Sequence, residues 1–264
     1  MESTEHLTFA REGATAIVTM NRPEAKNALS LPMLVGMADA WEEIDNNEEI
    51  RCAVLTGAGG TFCSGMDLKS MGGPQDEKYA ARREADPDLH WKALLRHYDV
   101  KKPLIAAVEG WAVAGGTEIL QATDIRMAGE SAVFGVFEAK RGLFPLGGST
   151  VRLRRQIPFT VAMDLLLTAR PVPADEALRI GLIGHVVPDG HALDKALEIA
   201  EVIGQNGPLA VEAIKRSVRE TEGMSEVEGL ARELEIGWPI FSTKDATEGQ
   251  KAFAEKRPAR FTRQ

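Results

Sequence analysis

Cysteine is scarce: Cys52 and Cys63 are the only two in 264 residues. Two cysteines cannot staple a chain of this length, and no CxxC pair or Cys/His spacing suits zinc. That excludes a disulfide scaffold and a zinc module, and it fits a reducing compartment. Positive charge is in deficit, with 31 Lys and Arg against 39 Asp and Glu, a net charge of −8. A general nucleic-acid surface needs the opposite balance, because phosphates are neutralised by surplus Lys and Arg. Long hydrophobic runs are missing; the longest are strand length, so no segment is expected to span a membrane. The opening Met1-Glu2-Ser3-Thr4-Glu5-His6 is polar and acidic, unlike a secretory or transit leader. These absences predict a cytoplasmic protein with no nucleic-acid or membrane partner.

What is present suits a globular enzyme. Hydrophobic residues make up 44%, enough for a real core, and 25 glycines imply many tight turns or close backbone approaches. Leu7 to Arg11 and Ala14 to Met20 read as strands joined by Glu12-Gly13. Ser30 is a suitable N-cap for a helix whose Leu31, Leu34, Met37, Trp41 and Ile44 share one face. Ala53 to Thr56 and Pro103 to Val108 read as buried strands. Residues 69 to 90 read as a mobile loop with one helical turn, followed by a helix from Leu89 to Val100. A helix from Thr117 to Ala122 and strands at Asp124 to Met127 and Ala132 to Phe134 follow. From about Phe159 helical patterns dominate, with only Gly184 to Val187 extended. Strand–strand–helix alternation predicts an α/β fold with crossovers, and then a helical C-terminal region. The division falls at a core of residues 1–204 and a helical region of residues 205–264.

Three segments carry chemistry. The first is Thr61-Phe62-Cys63-Ser64-Gly65-Met66-Asp67-Leu68-Lys69, straight after a buried strand. The second is Val108 to Glu118, where a strand meets Ala114-Gly115-Gly116 and a helix begins. The third is Phe134-Gly135-Val136-Phe137-Glu138-Ala139-Lys140-Arg141, followed by Leu146-Gly147-Gly148-Ser149-Thr150. Each alone fits a packing turn as well as an anion site at a helix N-terminus. In this order, together with Asn21-Arg22-Pro23-Glu24-Ala25-Lys26-Asn27-Ala28-Leu29 and Ala252 to Arg257, they resemble the crotonase (enoyl-CoA hydratase/isomerase) superfamily. The resemblance covers nearly the whole chain and is closest to the enoyl-CoA hydratases.

The resemblance implies a crotonase-type spiral of strand–strand–helix repeats with a helical C-terminal trimerisation region, assembled as a homotrimer or homohexamer. It implies an acyl-CoA thioester substrate, no cofactor beyond the coenzyme A carried by that substrate, and no metal. It places the thioester oxygen in an oxyanion hole made by the backbone N–H groups of Met66 and Gly115. Glu118 becomes the water-activating carboxylate and Glu138 the proton donor to the α-carbon. Two carboxylates in close approach push one pKa upward, leaving an acid beside a base. Ala25, Lys26, Ala28, Ser64, Asp67, Leu68 and Lys69 fall at coenzyme A-contacting positions, and Phe253 and Lys256 reach the cofactor-like tail of a neighbouring subunit's substrate. Trp111, Phe137 and Phe144 are candidates for the acyl pocket, although core packing explains aromatics equally well.

Several positions depart from the family pattern. Ala114 stands where many hydratases have glycine, Phe137 where proline is common, and Lys140-Arg141 at apolar positions. The stretch after Pro145 lacks one glycine. These changes bear on the acyl substrate more than on the chemistry. Other reactions of the superfamily stay open, namely double-bond isomerisation or dehydration of a carnitinyl-CoA-like thioester, as does a non-catalytic coenzyme A-binding scaffold. No GxSxG supports a serine hydrolase, and the five histidines show no metal spacing. Cys63 has no motif partner and reads as a small buried side chain.

Overall fold

The computed structural model describes residues 3–68 and 76–264. The first half alternates strands and helices: β1 Leu7–Glu12, β2 Thr15–Met20, a 3-10 turn Pro23–Ala25, α1 Leu31–Asn46, β3 Cys52–Gly57, α2 Glu77–Ala85, α3 Leu89–Ala93 and β4 Leu104–Val108. The site-bearing middle follows with β5 Trp111–Val113, α4 Gly115–Leu120, β6 Ile125–Gly129, β7 Val133–Gly135 and a 3-10 turn Glu138–Arg141. Then come α5 Ser149–Gln156, α6 Phe159–Thr168, β8 Val172–Pro173, α7 Ala174–Arg179 and β9 His185–Val187. The chain closes on α8 Ala192–Gly204, α9 Pro208–Glu220, α10 Glu226–Gly237, a 3-10 turn Trp238–Ser242 and α11 Lys244–Glu255.

Two sheets organise these elements. The larger runs β1-β2-β3-β4-β6-β9, antiparallel only at the β1–β2 hairpin and parallel thereafter. The smaller runs β5-β7-β8. Parallel strands are covered on both faces, so they read as unbroken apolar runs; Leu104 to Val108 is buried throughout. One face packs on α1 through Met33, Met37, Trp41 and Ile44. Ser30 caps this helix as its sequence implies, accepting from the Met33 amide. The opposite face packs Cys52, Val54, Ile105, Ala107 and Met127 against Ala192, Ala196 and Ala200 of α8. The four-residue spacing of those alanines lets the helix lie close to the sheet.

The expected α/β core and helical C-terminal region are both present, with some boundaries moved. The helix expected from Leu89 to Val100 stops at Ala93. Leu95 turns left-handed at φ +54°, and Arg152 takes its carbonyl. Residues 77–85, expected as loop with one turn, form a nine-residue helix capped by Asp76. Helix α5 was hidden because its sequence is mostly polar and only Ser149 and Leu153 are buried. Strand β5 was hidden because it is three residues long. The C-terminal helices are bolted to the core: Lys215 and Arg219 of α9 both pair with Asp124, at 2.6 and 3.0 Å.

Candidate active site

Strands β5 and β7 run side by side, Val113 opposite Gly135, and leave the small sheet at the same edge. Helix α4 springs from the first and the turn Glu138–Arg141 from the second. Glu118 and Glu138 are therefore delivered to one place by neighbouring strands. Thr117 locks the pair: its hydroxyl donates to the Ala112 carbonyl and accepts from the Gly135 amide. Sequence reading did not single out Thr117, because a threonine in a helix's first turn carries no signal of cross-strand bonding.

The segment before Met66 runs along β5 as a further strand. Cys63 N–H donates to Trp111 O at 2.9 Å, and Val113 N–H donates to Cys63 O at 2.9 Å. Gly65 then turns at φ +90°. The pairing of Leu29 with Met66 uses the amides of Leu29 and Asp67, so the Met66 N–H points away from that contact. A Cβ built on Gly115 would lie 3.7 Å from the Met66 nitrogen. The two amides thus lie on adjoining turns, and neither donates to another described residue. Gly116 is required by close approach: a Cβ there would stand 2.4 Å from the Cys63 carbonyl oxygen. The thiol of Cys63 is pushed up to about 12 by burial, which leaves it inert as a nucleophile.

Ala114 holds φ +50°, ψ −125°, a conformation that glycine adopts freely and alanine resists. The departure from glycine at this position costs backbone strain and leaves the neighbouring amides in place. Ala114→Gly is expected to stabilise the fold by about 1 kcal/mol, strain relief outweighing the entropy of glycine. Urea unfolding reads this as a higher midpoint with unchanged slope; an equal or lower midpoint would remove the strain argument.

The two carboxylates sit in unlike surroundings. Glu118 is buried, 5% exposed. Its oxygens accept the Gly147 amide at 3.0 Å and the Ser149 amide at 3.2 Å, at the N-terminal end of α5. A Cβ on Gly147 would meet Glu118 Oε2 at 2.6 Å, so only glycine lets the loop close on the carboxylate. Burial raises the Glu118 pKa, and these donors oppose the rise by favouring the anion. Glu138 has less support: its Oε2 is buried without a hydrogen-bond partner, and its own backbone amide and the Arg141 charge offset burial only in part. Burial first, and then the Glu118 charge, push its pKa up to about 7. Burial pushes both carboxyl groups up, and the donors around Glu118 oppose that rise more than those around Glu138.

The segments 25–29 and 64–67 lie against each other, with Ser64 N–H donating to Lys26 O at 3.0 Å and Leu29 N–H to Gly65 O at 2.8 Å. Asn27 ties them together: it is fully buried, accepts from the Arg22 amide and donates to the carbonyls of Ala58 and Thr61. Sequence reading passed over Asn27 because its role is entirely local. Ala25, Ala28 and Ser64 are half-buried along this cleft, and Lys26 and Leu68 are exposed beside it. Asp67 is buried and its carboxylate is held by Arg22 at 2.5 Å, a pairing that fixes the loop. Lys69 lies outside the described residues.

The aromatic candidates divide. Phe137 packs on Gly135, with the Lys140 ammonium 5.1 Å from its ring centre, right beside Glu138. Trp111 and Phe144 are 42% and 64% exposed, so in the isolated chain neither walls a closed pocket. Phe253 and Lys256 are exposed on α11 and its C-cap.

Comparison with known proteins bears on the family and the fold. The model of the enoyl-CoA hydratase/isomerase family matches residues 10–264. Enoyl-CoA hydratase EchA19 of Mycobacterium tuberculosis is 56% identical over 262 residues, 99% of this chain and 98% of that protein. The short-chain-enoyl-CoA hydratase of Clostridium acetobutylicum is 39% identical, covering 94% of each chain. Among solved structures, an enoyl-CoA hydratase from Mycobacterium tuberculosis superposes with a TM-score of 0.90 at 39% identity, covering 98% of this chain and 99% of that one. The expected crotonase-type architecture is thus the fold of this chain.

Proposed function

The chain belongs to the enoyl-CoA hydratase/isomerase family, and on that footing we propose that it adds water reversibly to a trans-2-enoyl-CoA, giving a 3-hydroxyacyl-CoA. The observation that carries this reading is the unlike pair of carboxylates near two amides that donate to no described residue. The thioester oxygen lies between the N–H groups of Met66 and Gly115. Ionised Glu118 takes a proton from a water whose oxygen attacks the β-carbon. The π electrons move onto the thioester oxygen as an enolate, which the two donors stabilise by about 3 kcal/mol each relative to the ground state. Protonated Glu138 then delivers its proton to the α-carbon, and the enolate collapses. Solvent exchange returns the extra proton from Glu118 and restores the proton on Glu138.

Crotonyl-CoA tests the assignment through loss of enoyl-thioester absorbance. Coenzyme A binding without turnover on crotonyl, longer-chain and carnitinyl thioesters would favour a scaffold. The pH dependence follows from the same pair. Hydration needs Glu138 protonated, so kcat/KM falls as pH rises through about 7, and it needs Glu118 ionised, so it also falls in acid. A rate flat from about pH 6 to about pH 9 would contradict the division of roles.

Ala25, Lys26, Ala28, Ser64 and Leu68 are the residues proposed to line the coenzyme A path, with Lys69 beside them. A lysine there meets a phosphate as a mobile point charge. The region 205–264 is proposed to assemble the chain into a homotrimer or homohexamer. Support comes from an apolar groove of about 440 Å³ between α9, α10 and the turn Trp238–Ser242, lined by Ile214, Val218, Leu234, Trp238 and Phe241. Those side chains are between 61% and 72% exposed in the single chain, grouped apolar residues of the kind a partner surface covers. In the assembly, Phe253 and Lys256 would meet a neighbour's substrate. Light scattering should return three or six times 28.6 kDa; a monomer would exclude this arrangement.

A further inference from the structure

Behind Glu118 lie two side chains that the mechanism above does not use. Ser149 and Gln121 are both 0% exposed. Gln121 caps the C-terminal end of α4, and Ser149 opens α5. Gln121 Nε2 donates to Thr117 O at 3.1 Å and to Ser149 Oγ at 2.8 Å. A carboxamide turned over would set its oxygen against the Thr117 carbonyl, acceptor against acceptor. Its orientation is therefore fixed, even though Oε1 is left buried with no partner. Since Ser149 Oγ accepts from Gln121, the one hydroxyl proton is left for another acceptor. The Glu118 carboxylate is beside it, with Oε1 already 3.2 Å from the Ser149 amide nitrogen.

We propose that Ser149 and Gln121 are positioning residues for Glu118: Gln121 orients the Ser149 hydroxyl so that it donates to the Glu118 carboxylate and holds it ionised and aimed at the attacking water. This rests on the reading of Glu118 as the water-activating base. The direction is consistent with the environment, since hydrogen bonding from the Ser149 side chain favours the Glu118 anion against burial. The charged groups that face Glu118 are Glu138, from the turn after β7, and Arg152, from α5. The Arg152 guanidinium is engaged with the carbonyls of Gly147 and Leu95. The fine adjustment of Glu118 thus falls to neutral donors. Gly147, Gly148 and Ser149 supply amides whatever their side chains, and Ser149 alone adds a hydroxyl.

The test is the pH profile of crotonyl-CoA hydration in Ser149→Ala, Ser149→Thr and Gln121→Met, with Glu118→Gln as control. Ser149→Ala and Gln121→Met are expected to move the acid limb to higher pH. They should also lower kcat about tenfold at acid pH, the worth of one hydrogen bond to a charged group. KM should stay close to that of the unaltered protein. Ser149→Thr should restore both. If Ser149→Ala folds poorly, Ser149→Gly keeps the amide donor and gives the same reading. An acid limb that stays in place in Ser149→Ala and Gln121→Met, while Glu118→Gln is inactive, would overturn the positioning role alone. Full activity in Glu118→Gln would overturn the assignment of the base, and the proposal with it.

Discussion

Glu138→Gln is expected to lower kcat for crotonyl-CoA hydration by about 10³-fold while leaving KM within about threefold. Glutamine keeps the size and the hydrogen-bonding edge of the side chain but has no proton to give. The loss should be larger than for an ordinary carboxylate because the site is arranged to keep this proton. Glu138 Oε2 is buried with no donor to stabilise the anion, and Glu118 beside it opposes a second negative charge. The same variant should bind a 3-hydroxyacyl-CoA as tightly as the unaltered protein, since no binding contact to the coenzyme A path is assigned to Glu138. Steady-state kinetics with a parallel binding titration separates the two effects. Retained turnover would mean that another group protonates the α-carbon.

Gly115→Ala is expected to reduce kcat/KM by about 10²–10³-fold without unfolding the protein. The added methyl would stand 3.7 Å from the Met66 nitrogen, and on the proposed reading it crowds the thioester oxygen. Its other near neighbours are the Gly65 Cα at 3.5 Å, an ordinary contact, and the Leu29 side chain at 3.2 Å, which can give way by a few tenths of an ångström. Gly115 does not hold a positive φ, so the change brings no backbone strain. Gly116→Ala makes the contrast, because its methyl would meet the Cys63 carbonyl at 2.4 Å. That variant should lose stability first and activity as a consequence. Thermal unfolding and kinetics on the two variants together tell occlusion of the hole from damage to its frame. Activity of Gly115→Ala within about threefold of the unaltered protein would place the oxyanion elsewhere.

Much of the fold was readable because its signals are local. Ser30 and the apolar spacing after it announce α1, and unbroken apolar runs announce the parallel strands. The oxyanion segments were readable through their glycines, because close backbone approach excludes a Cβ and so leaves a mark in the sequence. Elements whose identity depends on distant partners were not readable. Strand β5 is three residues that are strand only because Cys63 and β7 lie on either side of it. Helix α5 lacks apolar periodicity because its N-terminus faces Glu118 and only Ser149 and Leu153 are buried. The ion pair of Asp67 with Arg22, distant in sequence, was not readable either. The asymmetry of Glu118 and Glu138 was invisible for the same reason. It arises from amides at residues 147 and 149 that fold back onto one carboxylate, while one oxygen of the other is left buried with no partner.

The most direct measurement is a crystal structure of the Glu138→Gln variant with a bound trans-2-enoyl-CoA. The thioester oxygen should lie about 2.7–3.1 Å from both the Met66 and Gly115 nitrogens. A water held by Glu118 should face the β-carbon, with residue 138 over the α-carbon. A thioester oxygen bonded to neither amide, or a β-carbon turned away from Glu118, would contradict the reading of this site.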